Sequence, residues 1–536
     1  MPRGTNAGTP RGHYGGLCLR RPGARPSEGT FGPRGPGLLR QSFPPSVSSP
    51  PDSVLSTALV WIRNDLRVRD HEPLRYAADH YDQVVPVYCF DPRHFGTTMF
   101  DLPKTGAVRA RFLRESVQDL RRSLRDRGAD LVVRHGRPED VLPELVQRTG
   151  AEEVLQYQKI GSEEAEVEAA VETALADTGA EPGFFWGKTL YHIDDIPFEE
   201  PSDIPSVYTN FRKGVEKKSE VRPTVDAPDS LFPLPEEVDP GAIPTLEALG
   251  VEGDGTLDER GVLPFEGGET RGLDRIDEYI WRGDHLKTYK KTRNGLLGAN
   301  YSSKFSPWLA HGCITPRQIY EEVQRYEDQR VSNKSTYWMT FELIWRDFFS
   351  YVAWKAGDRL FRPGGIIGND IDWRYHEESF ERWASGTTGI PFVDANMREL
   401  NRTGYMSNRG RQNVASMLSQ SLKLDWRMGA AYFESRLIDH DVGSNWGNWA
   451  YNSRVGNDPR ARYFNIVKQA KRYDSDGDYV RYWLPELEGV PDEYVHAPHR
   501  MSREEQEAAG CIVGADYPRP VVDLDKTYER IRRERD

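Results

Sequence analysis

"GAVRARFLRESVQDLRRSLRDRGADLVV", residues 106 to 133, sets Val108, Phe112, Leu113, Val117, Leu120 and Leu124 on one helical stripe and ends in an apolar triplet after Gly128. Steps of three and four between apolar positions are the period of a helix that buries one face. The triplet reads as a buried strand, and "VVPVYCF" (84 to 90) ahead of the helix reads as another. Farther out lie "ALVWI" (58 to 62) and "EVLQY" (153 to 157). Strand, helix, strand in repetition is the pattern of a parallel α/β sheet. A Rossmann-like α/β domain over residues 55–200 is therefore expected. No GxGxxG turn follows its first strand, and "GFFWGKT" (183 to 189) is one residue short of a P-loop and lacks the strand-then-helix setting.

At 536 residues the chain exceeds one ordinary core, so two or three domains are expected. Hydrophobic residues make up 37% of it, enough for globular packing, and no apolar run has the length of a membrane span. Cys18, Cys89, Cys313 and Cys511 are far apart and form no CxxC pair, which argues against a disulfide framework or a metal site and for a reducing compartment. The net charge of −12 is uneven: residues 1 to 50 hold seven arginines and one acid, so that arm is +6 and the remainder −18. Rich in Gly, Pro, Ser and Arg, residues 1–54 are expected to form a disordered basic arm. Cytoplasmic location follows as the plain reading, with organellar targeting by the arm as the alternative.

From Arg222 to about Thr270 the chain is dominated by Pro, Gly and Asp, an irregular connector expected on the surface, with the interdomain linker set at 201–270. Beyond it helical patterns take over, giving an all-α domain over 271–510 and a short tail over 511–536. Eleven of the thirteen tryptophans lie in this part, either as core filler or as oxidisable relays to a redox cofactor; composition alone does not choose. "NYSSKFSPWLAHG" (300 to 312) offers hydroxyls and backbone N–H groups as a phosphate cradle. "FELIWRDFF" (341 to 349) places Glu342 and Arg346 four apart, the spacing of a simple helical ion pair. "NRTGYMSNRGRQNVASML" (401 to 418) brings Asn408, Arg409, Arg411 and Gln412 into one helical turn, and in "LIDHDVGSNWGNWAYNSRVGNDP" (437 to 459) Asp439 and Asp441 flank His440. Without HExxH or a second histidine at suitable spacing, a metal is not the expected reading.

In these motifs, taken with "WIRNDLRVRDHEPL", "FWGKTLYHIDDIPF", "YSSKFSPWLAHGCITPRQIY", "DYVRYWLPEL" and "DYPRPVV", the chain from Ala58 to about Val522 resembles the photolyase/cryptochrome family, and within it the cryptochrome-DASH branch. The resemblance implies an N-terminal α/β antenna domain and an all-α C-terminal domain that binds FAD, with the reduced anionic flavin as the active form. It assigns Tyr289, Ser302, Ser303, Lys304, Phe305 and Ser306 to the phosphates and their surroundings, and Arg346, Asn408, Arg411, Asp439, Asp441 and Asn445 to the flavin, with Arg411 paired to Asp439 and Asn445 opposite flavin N5. Glycines of the 437–459 stretch would allow close approach to the ring. Trp449, Trp426 and Trp373 match the family's tryptophan triad for photoreduction, and the other tryptophans remain core filler.

The implied activity is blue-light repair of cyclobutane pyrimidine dimers, a deoxyribodipyrimidine photo-lyase reaction driven by an electron from excited FADH⁻. Glu342 matches the acid that hydrogen-bonds the dimer, Arg293 and Arg409 the cations near the damaged strand, and Trp345 a wall of the substrate cavity. Gln412 stands where ordinary dimer photolyases have methionine, and Tyr451 where they have tryptophan. A smaller aromatic and a more polar wall grip a flipped dimer less firmly, so the expected partner is UV-damaged DNA, single-stranded preferred. A monomer without a membrane partner is expected. The implied antenna is methenyltetrahydrofolate, although Lys159 stands where relatives often have glutamate. The rival reading is a blue-light sensory cryptochrome; a light-independent flavin oxidoreductase comes third.

Overall fold

A computed structural model describes residues 55–533 apart from 459, 461 and 462; the expected basic arm lies outside the described residues. Five strands, β1 (Thr57–Ile62), β2 (Gln83–Phe90), β3 (Val132–His135), β4 (Glu153–Tyr157) and β5 (Glu181–Phe185), form one parallel sheet in the order β3-β2-β1-β4-β5. Every residue of β1 and β2 is buried, as expected of strands covered on both faces. Alternation decides which face each serves. Ala58, Val60 and Ile62 join the cluster shared with the helical region, while Leu59 and Trp61 pack with Leu142, Leu145 and Val171 on the far side.

Helices α1 (Glu72–His80), α2 (Ala107–Arg125), α3 (Pro138–Thr149) and α4 (Ser162–Leu175) connect the strands. On α2 the apolar stripe buries Phe112, Val117, Leu120 and Leu124 completely, with Val108 and Leu113 half-buried. The fifth strand was not legible in the sequence: "EPGFF" carries Pro and Gly, both poor strand formers, and only its pairing with β4 extends it.

The connector has no regular element between about 219 and 268, yet it is not a loose surface strand. Leu231, Val238, Leu249 and Phe265 are buried, and the Val133 N–H donates to Pro240 O at 2.8 Å, which covers the open edge of β3. Helix α5 (Tyr208–Lys218) precedes this stretch.

The loop after β1 docks the sheet onto the helices. Asp70 receives Arg317 Nη2 and Thr315 Oγ1, both at 2.6 Å, Arg67 Nη1 donates to Gly312 O at 2.9 Å, and the Glu269 carboxylate accepts the N–H groups of Val68 and Arg69. Beyond it the long helix Lys334–Ala356, capped by Asn333, runs through the core. Its fully buried Asp347 accepts the N–H groups of Leu190 and Tyr191 at 2.9 and 3.0 Å. Burial raises this carboxyl to about 7, against those two bonds. Asp347→Ala is expected to lower stability by ~1–3 kcal/mol for each orphaned N–H, read as a fall in urea midpoint at unchanged m-value. Val442–Asn452 packs on this helix, Trp426–Arg436 and Asn408–Ser416 pack on Val442–Asn452, and Pro391–Thr403 packs on Asn408–Ser416. The chain end expected as a tail holds the helix Leu524–Arg533, which buries Leu524, Tyr528 and Ile531. Among the described residues no helix is long and apolar enough to cross a membrane.

Candidate functional site

Residues 299–305 form a loop ahead of the short helix Ser306–Ala310. Lys304 adopts φ 61°, the left-handed region that a non-glycine residue rarely enters. Its Nζ donates to Ser302 Oγ at 3.1 Å and lies over the Tyr301 ring. Burial pushes this amine down to about 6 despite the pull of Glu399. Phe305 and Tyr289 are buried against two edges of Tyr279, with ring centroids 5.9 and 6.4 Å away. The hydroxyls of Tyr279 and Tyr301 are buried without a hydrogen-bond partner among the described residues. Orphans of this kind mark a place where a ligand or water supplies the partner. Together with the Ser302 and Ser303 hydroxyls, they fit a polar, phosphate-bearing ligand such as FAD.

Ser306 joins this cradle to a charged pair. Its Oγ donates to Asp439 Oδ2 at 2.6 Å, and Arg411 Nη2 donates to both carboxylate oxygens, at 2.8 and 3.0 Å. The Asp439 side chain is only 2% exposed, so the guanidinium is its electrical partner in a low-dielectric setting. Asn445 is buried on the next helix and donates to Ala430 O at 2.9 Å, which fixes its amide. Asn408 is exposed at the start of Asn408–Ser416. Gly443 and Gly447 face the helix Lys334–Ala356. A Cβ on Gly447 would stand 2.6 Å from Phe349, so these glycines let the helix approach Lys334–Ala356.

Arg346 and Asp441 go elsewhere. The helical spacing does not pair Arg346 with Glu342; Arg346 donates to the carbonyls of Lys188 and Leu309. Lys188, the lysine of "GFFWGKT", ion-pairs with Asp441, which also caps Val442–Asn452 through Ser444 N at 2.9 Å. Burial alone raises the Asp441 carboxyl, but Lys188 and Arg346 hold it well below the usual carboxylate range. Both Arg346 and Asp441 line a cavity of about 610 Å³ between the sheet and the helices. Lys159 lines it too, 3.2 Å from Asp65, and burial brings its amine down to about 8. His311 and His440 also line this cavity, and the buried Nδ1 of each has no hydrogen bond among the described residues. A cavity of this size with a few unsatisfied polar groups has room for a second small-molecule ligand such as an antenna chromophore.

The six residues expected at the substrate form a connected wall. Arg293 Nη1 lies 2.6 Å from Glu342 Oε1, and burial raises the Glu342 carboxyl while that arginine opposes it. Neighbouring Asn294 accepts from Arg409 Nη2 at 3.1 Å, and Arg409 Nη1 donates to Gln412 Oε1 at 2.8 Å. One helical turn from Glu342, Trp345 meets the edge of Tyr451 at 6.0 Å. Tyr208 of α5 stacks on the same indole at 3.6 Å and 6°. Neither Tyr208 nor Asn294 carried a signal in the sequence, since both belong to segments whose role is fixed only by packing. Lys188 did carry one, an aromatic and glycine-rich stretch without a phosphate-loop setting.

Trp426 and Trp373 donate their indole N–H to one acceptor, Pro363 O, each at 3.0 Å. Trp449 lies against Gly429, one turn into the helix that begins at Trp426, where a Cβ would stand 2.2 Å from the indole. The three therefore lead from the buried interior to half-buried Trp373. Two tryptophans read as filler touch them: Trp383 is 6.1 Å from Trp449, and Trp446 is 5.7 Å from Trp426.

Residues 58–230 match the family model described as DNA photolyase, and 338–535 that of the FAD binding domain of DNA photolyase. The cryptochrome DASH of Natronomonas pharaonis is 55% identical over 477 residues, 89% of this chain and all of that protein. The solved structure of a Synechocystis cryptochrome superposes with TM-score 0.86 at 49% identity, covering 89% of this chain and 99% of that one. An archaeal photolyase from Sulfolobus tokodaii, solved with two FAD molecules, reaches 0.72 at 26% identity over 89% and 99% of the two chains.

Proposed function

The chain belongs to the photolyase/cryptochrome family, in its cryptochrome-DASH branch, and from that premise we propose that it is a blue-light-dependent deoxyribodipyrimidine photo-lyase acting on cyclobutane pyrimidine dimers, chiefly in single-stranded DNA. The observation that carries this reading is the wall running from Gln412 through Arg409 and Asn294 to Arg293, Glu342, Trp345 and Tyr451. Bound FAD, reduced and anionic, supplies the light-driven electron donor. Arg411 favours the anionic form by its charge, and Asp439 keeps that guanidinium in place. Glu342 hydrogen-bonds the dimer, its carboxyl oriented by Arg293 at 2.6 Å. Arg293 and Arg409 neutralise phosphate on the damaged strand.

Substrate restriction follows from the same wall. Opening a duplex costs a few kcal/mol for the flipped nucleotides, least where the strand is already single. The Gln412 carbonyl is engaged by Arg409, so it is not free to accept from the dimer's N–H groups and its grip is weak. In the same reading, residues 55–200 form the antenna domain, 201–270 the linker and 271–510 the flavin domain of a cytoplasmic monomer. Methenyltetrahydrofolate takes the 610 Å³ cavity, whose lining carries several carboxylates, Asp91, Glu163 and Glu164 among them.

The test is blue-light repair by the purified, reduced protein of one thymine-dimer oligonucleotide, presented single-stranded and as a duplex. Repair confined to the single strand is expected. Equal repair of both overturns the restriction, and repair of neither by the FAD-loaded protein moves the function to photoreception.

A further inference from the structure

Beyond Trp373 the chain stays extended. Arg374 pairs with Leu424 in a parallel bridge, its N–H donating to Lys423 O at 2.8 Å and its carbonyl accepting from Asp425 N at 3.2 Å. In an extended segment side chains alternate, so the residues on either side of Arg374 share a face, their Cα atoms ~7 Å apart. These residues are Trp373, half-buried, and Tyr375, 71% exposed. Ile367, also exposed, and the carboxylates of Asp370, Asp372, Glu377 and Glu378 lie in the adjoining exposed sequence.

We propose that Tyr375 is the terminal electron donor of the tryptophan chain, giving a fourth oxidisable residue after Trp449, Trp426 and Trp373. The proposal rests on the reading of those three as the photoreduction path. One electron leaves Trp449 for the excited oxidised flavin and is replaced stepwise from Trp426 and then from Trp373. The Trp373 radical cation takes an electron from the Tyr375 phenol, the O–H bond breaks, and the proton passes to bulk water. Neutral Trp373 and a neutral tyrosyl radical remain, and charge balances with no further reactant.

Burial sets the direction. Trp383 and Trp446 are 0% and 6% exposed, as buried as Trp426 and Trp449, so a charge that reaches them has no exit to solvent. These contacts are side branches, whereas Trp373 is half-buried. At Tyr375 the phenol stands in water, which accepts the proton at once. Loss of that proton removes the driving force for return of the electron, and the separated state outlives one that ends on an indole cation.

The full FAD-loaded chain with oxidised flavin is flashed with blue light and followed by transient absorption and electron paramagnetic resonance. The tryptophanyl signal is expected to give way to a tyrosyl signal whose hyperfine pattern changes when the protein carries ring-deuterated tyrosine. In Tyr375→Phe the tyrosyl signal is lost and the tryptophanyl signal persists until recombination. A wild-type protein that yields tryptophanyl signal alone, or a tyrosyl signal undiminished in Y375F, overturns the proposal while leaving the tryptophan path standing. Radical formation in Trp373→Phe at the wild-type yield overturns the path itself, and the proposal with it.

Discussion

Arg411→Ala is expected to release FAD on gel filtration and to lower thermal stability even in the apoprotein. The substitution leaves the Asp439 side chain, 2% exposed, facing only the Ser306 hydroxyl. Breaking one side of such a buried pair costs about 3–5 kcal/mol, because the remaining charge has neither water nor partner. Where that penalty falls on the flavin-bound state, it weakens affinity by roughly 100- to 3,000-fold. Arg411→Lys keeps the charge but loses the fork that spans both carboxylate oxygens, so an intermediate loss is expected. The double variant Arg411→Ala/Asp439→Ala separates the pair from its members: removing the stranded carboxylate recovers part of the stability, and the coupling gives the strength of the contact. Stoichiometric FAD retained by R411A with unchanged melting would show that this pair does not hold the flavin pocket.

The sequence carried the sheet because parallel strands are apolar throughout, and β1, β2 and β4 stand out as runs whose ends matched the structure to within one residue. β5 was invisible because its backbone is recruited by β4 in spite of its own residues. The Arg411–Asp439 pair was legible only through resemblance; the two residues are 28 apart in sequence, and no periodicity brings them together. Helical spacing misled in the opposite case, since Arg346 stands one turn from Glu342 and still turns to the carbonyls of Lys188 and Leu309. A local rule proposes partners on one helix, whereas burial rewards whichever group completes an otherwise unsatisfied carbonyl. Lys188 shows the same limit: its role depends on Asp441, some 250 residues away, so "GFFWGKT" read alone had no partner to explain it.

Trp449→Phe is expected to abolish photoreduction of the oxidised protein while leaving repair by chemically reduced protein intact. The indole is 2% exposed, held edge-on by Phe433 at 5.1 Å and seated on Gly429, so its orientation is set by two helices at once. Phenylalanine keeps most of the packing but is far harder to oxidise. Trp426→Phe and Trp373→Phe are expected to give the same loss, because a series path fails at any member. Trp383→Phe and Trp446→Phe are expected to photoreduce normally, although each of these indoles touches the path. Flavin absorbance under continuous blue light with a thiol donor measures the first property, and single-stranded dimer repair after dithionite reduction measures the second. The split between them is the decisive result. In the proposed reaction repair would return its electron to the flavin, so the tryptophans would only charge the donor, whereas Glu342, Gln412 and Tyr451 would act on the dimer in every cycle. A W449F protein that photoreduces at the wild-type rate would remove the path, and one that also fails to repair after chemical reduction would place Trp449 in the architecture of the flavin pocket itself.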